Sequence, residues 1–180
     1  DRAMIHGHYG DLYRRVWCVD FEYHTGNSGA DAPTPICMVA IDALSGDKVR
    51  KWLWSGDKSC PIEFTDRDLY VSWYAPAEIN CHLALGWSAP PRIVDLFAEF
   101  KTIFNGIDRH RTEAEKAALK KNERASLLAG LFAFGLGDTA IAAGHKTDMR
   151  DLCIRGGPFT HAEQRASLEY SESDVAALVR

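Results

Sequence analysis

The stretch VWCVDFEY, residues 16–23, closes an apolar run with two acids, Asp20 and Glu22, separated by Phe21. In a β-strand, residues i and i+2 point to one face, so the two carboxylates project together while Phe21 packs the other way. Carboxylates held that close repel unless positive charge stands between them. A hard divalent cation, Mg²⁺ or Mn²⁺, meets that need through its preference for oxygen ligands. A frayed strand end with both acids in water is the plain alternative. Far along the chain, Tyr170 and Asp174 in YSESD stand four apart, which puts them on one face of a helix. A phenol beside a cation-binding carboxylate can hold a water for attack on phosphorus. Taken alone, the same pair reads as a core-edge tyrosine next to a surface acid.

Such a site needs a strand that ends at the first acids and a helix that carries the last pair. The pattern predicts a strand over 16–23 and a hairpin of strands over 36–41 and 49–54, turning at Ser45-Gly46-Asp47. LYVSWYA, 69–75, reads as a fourth short strand. Pro76 then opens a helix that stops at Gly86. Ile93-Val94 predicts another strand, leading through Asp95 into the helix LFAEFKTIF. Helical patterns follow over 111–134 and at MRDLCI, before the Gly156-Gly157-Pro158 break. Thr160 and Glu163 form a capping-box pattern ahead of the last helix. Strands dominate the first half and helices the second, with no linker or repeat between them. The expectation is one α/β domain over residues 1–180.

Composition narrows the function. Hydrophobic residues at 46% and charged residues at 26% are those of a globular domain with a real core. No apolar run approaches the ~20 residues of a membrane span. Five cysteines with no CxxC pair argue for reduced thiols in a cytoplasm-like compartment, without a zinc knuckle. The net charge of −4 gives no support to wholesale electrostatic binding of nucleic acid, though an acidic site can reach phosphate through bound metal. The chain begins with Asp1, which suggests a processed chain or a piece of a longer one.

DxE at the end of a first strand, and YxxxD on a C-terminal helix about 150 residues later, resemble the first and last motifs of the DEDD exonuclease superfamily. The tyrosine variant resembles the proofreading domains of family A DNA polymerases and the ribonuclease D group. CHLALGW, VDLFAEF and MRDLCIRGGPFT look more like the phage-type polymerase exonuclease domains. The resemblance covers roughly residues 14–180. It implies a ribonuclease H-like fold: a mixed sheet of about five strands, the first three antiparallel, flanked by helices. It also implies two-metal-ion hydrolysis releasing 5′-mononucleotides from the 3′ end of single-stranded DNA, with Mg²⁺ or Mn²⁺ ions ~4 Å apart. Asp20, Glu22 and Asp174 would hold one metal, Asp20 and Glu78 the second, and Tyr170 would orient the water. The middle motif departs from the family pattern. Where an aspartate is usual, VSWYAPAEINCHLALG offers Glu78, with Asp95 in RIVDLF as the alternative ligand. An RNA substrate, as for ribonuclease D, stays open, and so does a decayed, purely nucleic-acid-binding module. A polymerase domain following Arg180 is a further expectation.

Other signals carry ordinary readings. His6-Gly7-His8 reads as a polar start, and GLGDTA at 135–140 follows a helix, so it is no dinucleotide fingerprint. Cys81-His82 reads as a packed cysteine and a surface histidine. Seven Lys/Arg against four acids over 101–124 read as a solvated face that could also guide a phosphate backbone. Trp73, Tyr74 and Trp87 are either core or a stacking surface for a terminal base.

Overall fold

A computed structural model describes residues 9–26, 32–108, 126–136 and 143–180. Its strands are β1 (Arg15–His24), β2 (Thr34–Asp42), β3 (Lys48–Trp52), β4 (Asp68–Ser72) and β5 (Ile93–Asp95). Its helices are α1 (Ala75–Ala84), α2 (Leu96–Asp108), α3 (Leu127–Ala133), α4 (Ala143–Arg155) and α5 (His161–Leu178). One mixed sheet runs in the order β3-β2-β1-β4-β5. β1, β2 and β3 pair antiparallel, whereas β4 joins β1, and β5 joins β4, in parallel. The expected α/β class and five-stranded mixed sheet with three antiparallel strands are borne out.

Alternation along β1 builds two cores. Trp17, Val19 and Phe21 pack with Tyr70, Cys81 and Trp87 on the α1 side. Val16 and Cys18 pack with Val39, Leu69 and Val175 on the α5 side. The start of β1 is pinned in register by a forked pair, Arg14 Nε and Nη2 donating to Asp68 Oδ1 at 3.2 Å and Oδ2 at 3.0 Å. Buried Asp42 takes the Val16 N–H at 2.9 Å, tying β2 to the same point.

Several boundaries differ from the sequence pattern, for identifiable reasons. β3 stops at Trp52 because the N–H groups of both Leu53 and Trp54 turn to the one carbonyl of Ile36, where the β1–β2 ladder is also irregular. β4 stops at Ser72 because the Trp73 carbonyl accepts the Phe97 N–H at 2.8 Å and α1 begins at once. Gly86 ends α1 in the left-handed region at φ 70°, as a glycine beyond a helix end can. Of the stretch expected to be helical over 111–134, residues 111–125 lie outside the described residues, as do His6-Gly7-His8 and residues 137–140 of GLGDTA. Most of the basic segment over 101–124 lies outside them too. Among the described residues no helix is long and apolar enough to cross a membrane.

Candidate functional site

β4 pairs with β1 only from Arg15 to Cys18, so β1 runs on from Val19 to His24 without a β4 neighbour. That overhang lies at the carboxyl ends of the parallel strands, where open α/β sheets leave a crevice for ligands. Asp20, Glu22 and His24 alternate with Phe21 and Tyr23, which join the α1-side core. Both acids are part-buried and lie beside α4 and α5.

Glu78 comes to this overhang from the first turn of α1. It is only 5% exposed, and its carboxylate accepts the Phe21 N–H, on the strand segment that β4 leaves uncovered. Its Oε2 is buried with no hydrogen-bond partner among the described residues. Burial, then the charges of Asp20 and Glu22, push the Glu78 carboxyl well above the usual range. Asp95 does something else. Its Oδ1 accepts the N–H groups of Phe97 at 3.0 Å and Ala98 at 3.1 Å, capping the first turn of α2.

α5 delivers the last pair. It starts with a complete capping box, Thr160 Oγ1 taking the Glu163 N–H at 3.2 Å and Glu163 Oε2 taking the Thr160 N–H at 2.7 Å. Small buried residues, Ser167 and Ser171, let the helix approach the sheet, and Ser171 Oγ donates to the Asp20 carbonyl at 3.4 Å. Glu172 is salt-bridged to Lys48 and Arg50 of β3, which fixes the rotation of α5. Tyr170 then donates its phenolic hydrogen to Asp174, one turn on. Burial first, then the charges of Asp174, Glu22 and Asp20, raise that phenol far above its ordinary value. The fields of both acidic motifs therefore meet at one hydroxyl.

Two neighbours escaped the sequence reading. Cys153 of α4 donates its thiol hydrogen to Glu22 Oε2 at 3.3 Å. Its own carbonyl lies 2.8 Å from His24 Nδ1. The i, i+2, i+4 spacing of Asp20, Glu22 and His24 could have flagged the histidine; nothing in the local sequence flags a cysteine 131 residues from its glutamate. His82, expected on the surface, is instead fully buried, because the rings of Phe21, Phe64, Tyr70 and Trp87 enclose it. Trp87 is core, with its indole N–H donated to the Lys58 carbonyl at 2.7 Å. Trp73 packs on Phe97 and Phe100, and Tyr74 lies exposed against Phe97.

Among the described residues, no group of three or more His, Cys, Asp or Glu side chains stands ready-arranged to hold a metal ion. Like charges give one another no reason to draw together. The chemistry of the donors nevertheless suits a hard divalent cation: acidic side chains only, one of them buried with an unpartnered oxygen. No family model, curated protein or solved structure matches the chain.

Proposed function

We propose that the chain is a metal-dependent 3′→5′ exonuclease of the tyrosine-type DEDD superfamily, built on a ribonuclease H-like sheet and acting on the 3′ end of DNA. One observation carries this reading: Ser171, between Tyr170 and Asp174, donates to the Asp20 carbonyl, so the last helix packs its acidic motif on the first strand's, and Tyr170 lies in the fields of both. The strand order β3-β2-β1-β4-β5, with three antiparallel strands followed by two parallel ones, supports the fold. Proofreading beside a polymerase is the role that the resemblance suggests.

Asp20, Glu22, Glu78 and Asp174 would hold the cations, Glu78 directly or through water. Divalent cations bound there supply charge that polarises a phosphodiester and acidifies a water. The protein's own part is orientation. Tyr170, fixed by its hydrogen bond to Asp174, stays protonated and orders the attacking water beside the acids. Ser171 holds the Asp20 main chain against α5, so the two motifs keep a constant separation. Glu78, buried and with its carboxyl pushed well above the usual range, favours a second reading, a nucleic-acid-binding module whose site has decayed.

Matched DNA and RNA oligonucleotides, labelled at the 5′ end and incubated with Mg²⁺ or Mn²⁺, test the proposal. The expected result is a ladder shortening from the 3′ end, faster on single-stranded DNA and absent with chelator. Faster trimming of RNA would move the substrate to the ribonuclease D side. No cleavage, with no Mn²⁺ taken up, would establish the decayed module instead.

A further inference from the structure

We propose that Cys153 is a positioning residue for Glu22, a role that rests on reading the acids as a cation site. Its thiol donates to Glu22 Oε2 at 3.3 Å, a short distance for a sulfur donor. The same residue holds the strand a second time. Its carbonyl lies 2.8 Å from His24 Nδ1, and a carbonyl can only accept, so Nδ1 carries the hydrogen. Residue 153 therefore grips two residues of the acidic face of β1, one through its side chain and one through its backbone.

The grip is rigid on the α4 side. Cys153 is 9% exposed and packs in a cluster with Ile36 and Met149, flanked by Leu152, Phe159 and Tyr170. The His24 ring stands edge-on to Trp54 at 6.1 Å, and Gly156 backs onto both rings. Neither the thiol nor the carbonyl can swing away without disturbing this packing. Glu22 has a long side chain, and fixing such a chain on a cation costs rotamer freedom. A donor on one of its oxygens removes part of that freedom in advance. Groups that orient metal ligands in this way typically matter ~10–100-fold in metal affinity. The thiol that β1 itself carries, Cys18, is buried in the α5-side core and serves as a packing control.

Calorimetric titration of Mn²⁺ into the parent protein, Cys153→Ala, Cys153→Ser and Cys18→Ala, each beside a melting curve, tests the inference. Cys153→Ala is expected to weaken Mn²⁺ binding by about 10-fold or more. Cys153→Ser keeps a hydrogen donor and should recover most of that loss. Cys18→Ala should lower the melting temperature and leave affinity unchanged. Should the alanine variant not fold, Cys153→Val keeps apolar packing without a donor and takes its place. Parental affinity in the variant without a donor would overturn the inference, and so would a serine variant as weak as the alanine one. A parent that takes up no Mn²⁺ would instead remove the cation site itself, and this role with it.

Discussion

Glu78 carries the sharpest local conflict: a buried carboxylate with one unpartnered oxygen, in the fields of Asp20 and Glu22. Its raised carboxyl keeps a proton in the folded chain that the unfolded chain releases near pH ~4.3. The folded state thus binds more protons from that unfolded value up to the folded one. Stability of the metal-free protein accordingly falls as pH rises through this window. Glu78→Gln should remove that slope and raise the metal-free melting temperature at neutral pH, while abolishing most metal-dependent cleavage. Melting curves from about pH 4 to about pH 8, beside cleavage rates, check both halves. A glutamine variant with the parental slope and rate would take Glu78 out of the site. Tyr170→Phe should act in the opposite way, slowing single-turnover cleavage by ~10²–10⁴ with Mn²⁺ affinity unchanged. A packing tyrosine would instead show the parental rate and a modest loss of stability. Both motifs were legible in the sequence because period-2 and i, i+4 spacing alone put their members side by side. The Cys153–Glu22 bond was not legible, since only tertiary packing brings α4 to the end of β1.

At the scale of elements, strands were easier to read than their ends. β1 and the β2–β3 hairpin follow from apolar runs and the turn glycine Gly46, which has φ 83°. Their limits are set by hydrogen bonds that no local pattern announces, such as the shared Ile36 carbonyl. The capping box of α5 was fully visible because both of its partners lie within one turn. Asp95 shows why two acids that look alike in sequence differ in role: the α2 amides claim its oxygen, whereas Glu78 turns to the Phe21 amide. Asp95→Ala should therefore destabilise the protein by ~1 kcal/mol, the usual cost of losing such a cap. Asp95→Asn retains a capping oxygen and should keep both stability and cleavage close to parental. Thermal melts of the two variants with a cleavage assay decide the matter. An asparagine variant that folds normally but does not cleave would make Asp95 a ligand.

For the whole molecule, the deciding feature is that β4 accompanies β1 only as far as Cys18. The overhang left to β1 admits Glu78 along the uncovered strand edge, while α4 brings Cys153 to Glu22 and α5 brings Tyr170, hydrogen-bonded to Asp174, into the fields of Asp20 and Glu22. Sheet class and element order were readable from patterning, but the parallel register of β1 on β4 was not. It depends on the forked Arg14–Asp68 pair, whose members are 54 residues apart, and on ladder partners as distant as Arg15 and Asp68. In the proposed function this overhang gathers Asp20, Glu22, Glu78 and Asp174 around divalent cations. Anomalous diffraction from crystals soaked in Mn²⁺ tests it most directly. Density is expected between Asp20, Glu22 and Asp174, with Glu78 in reach directly or through one water and Tyr170 beside it. Mn²⁺ bound elsewhere, or density at the acids with Asp174 turned away from it, would rule out this cation site.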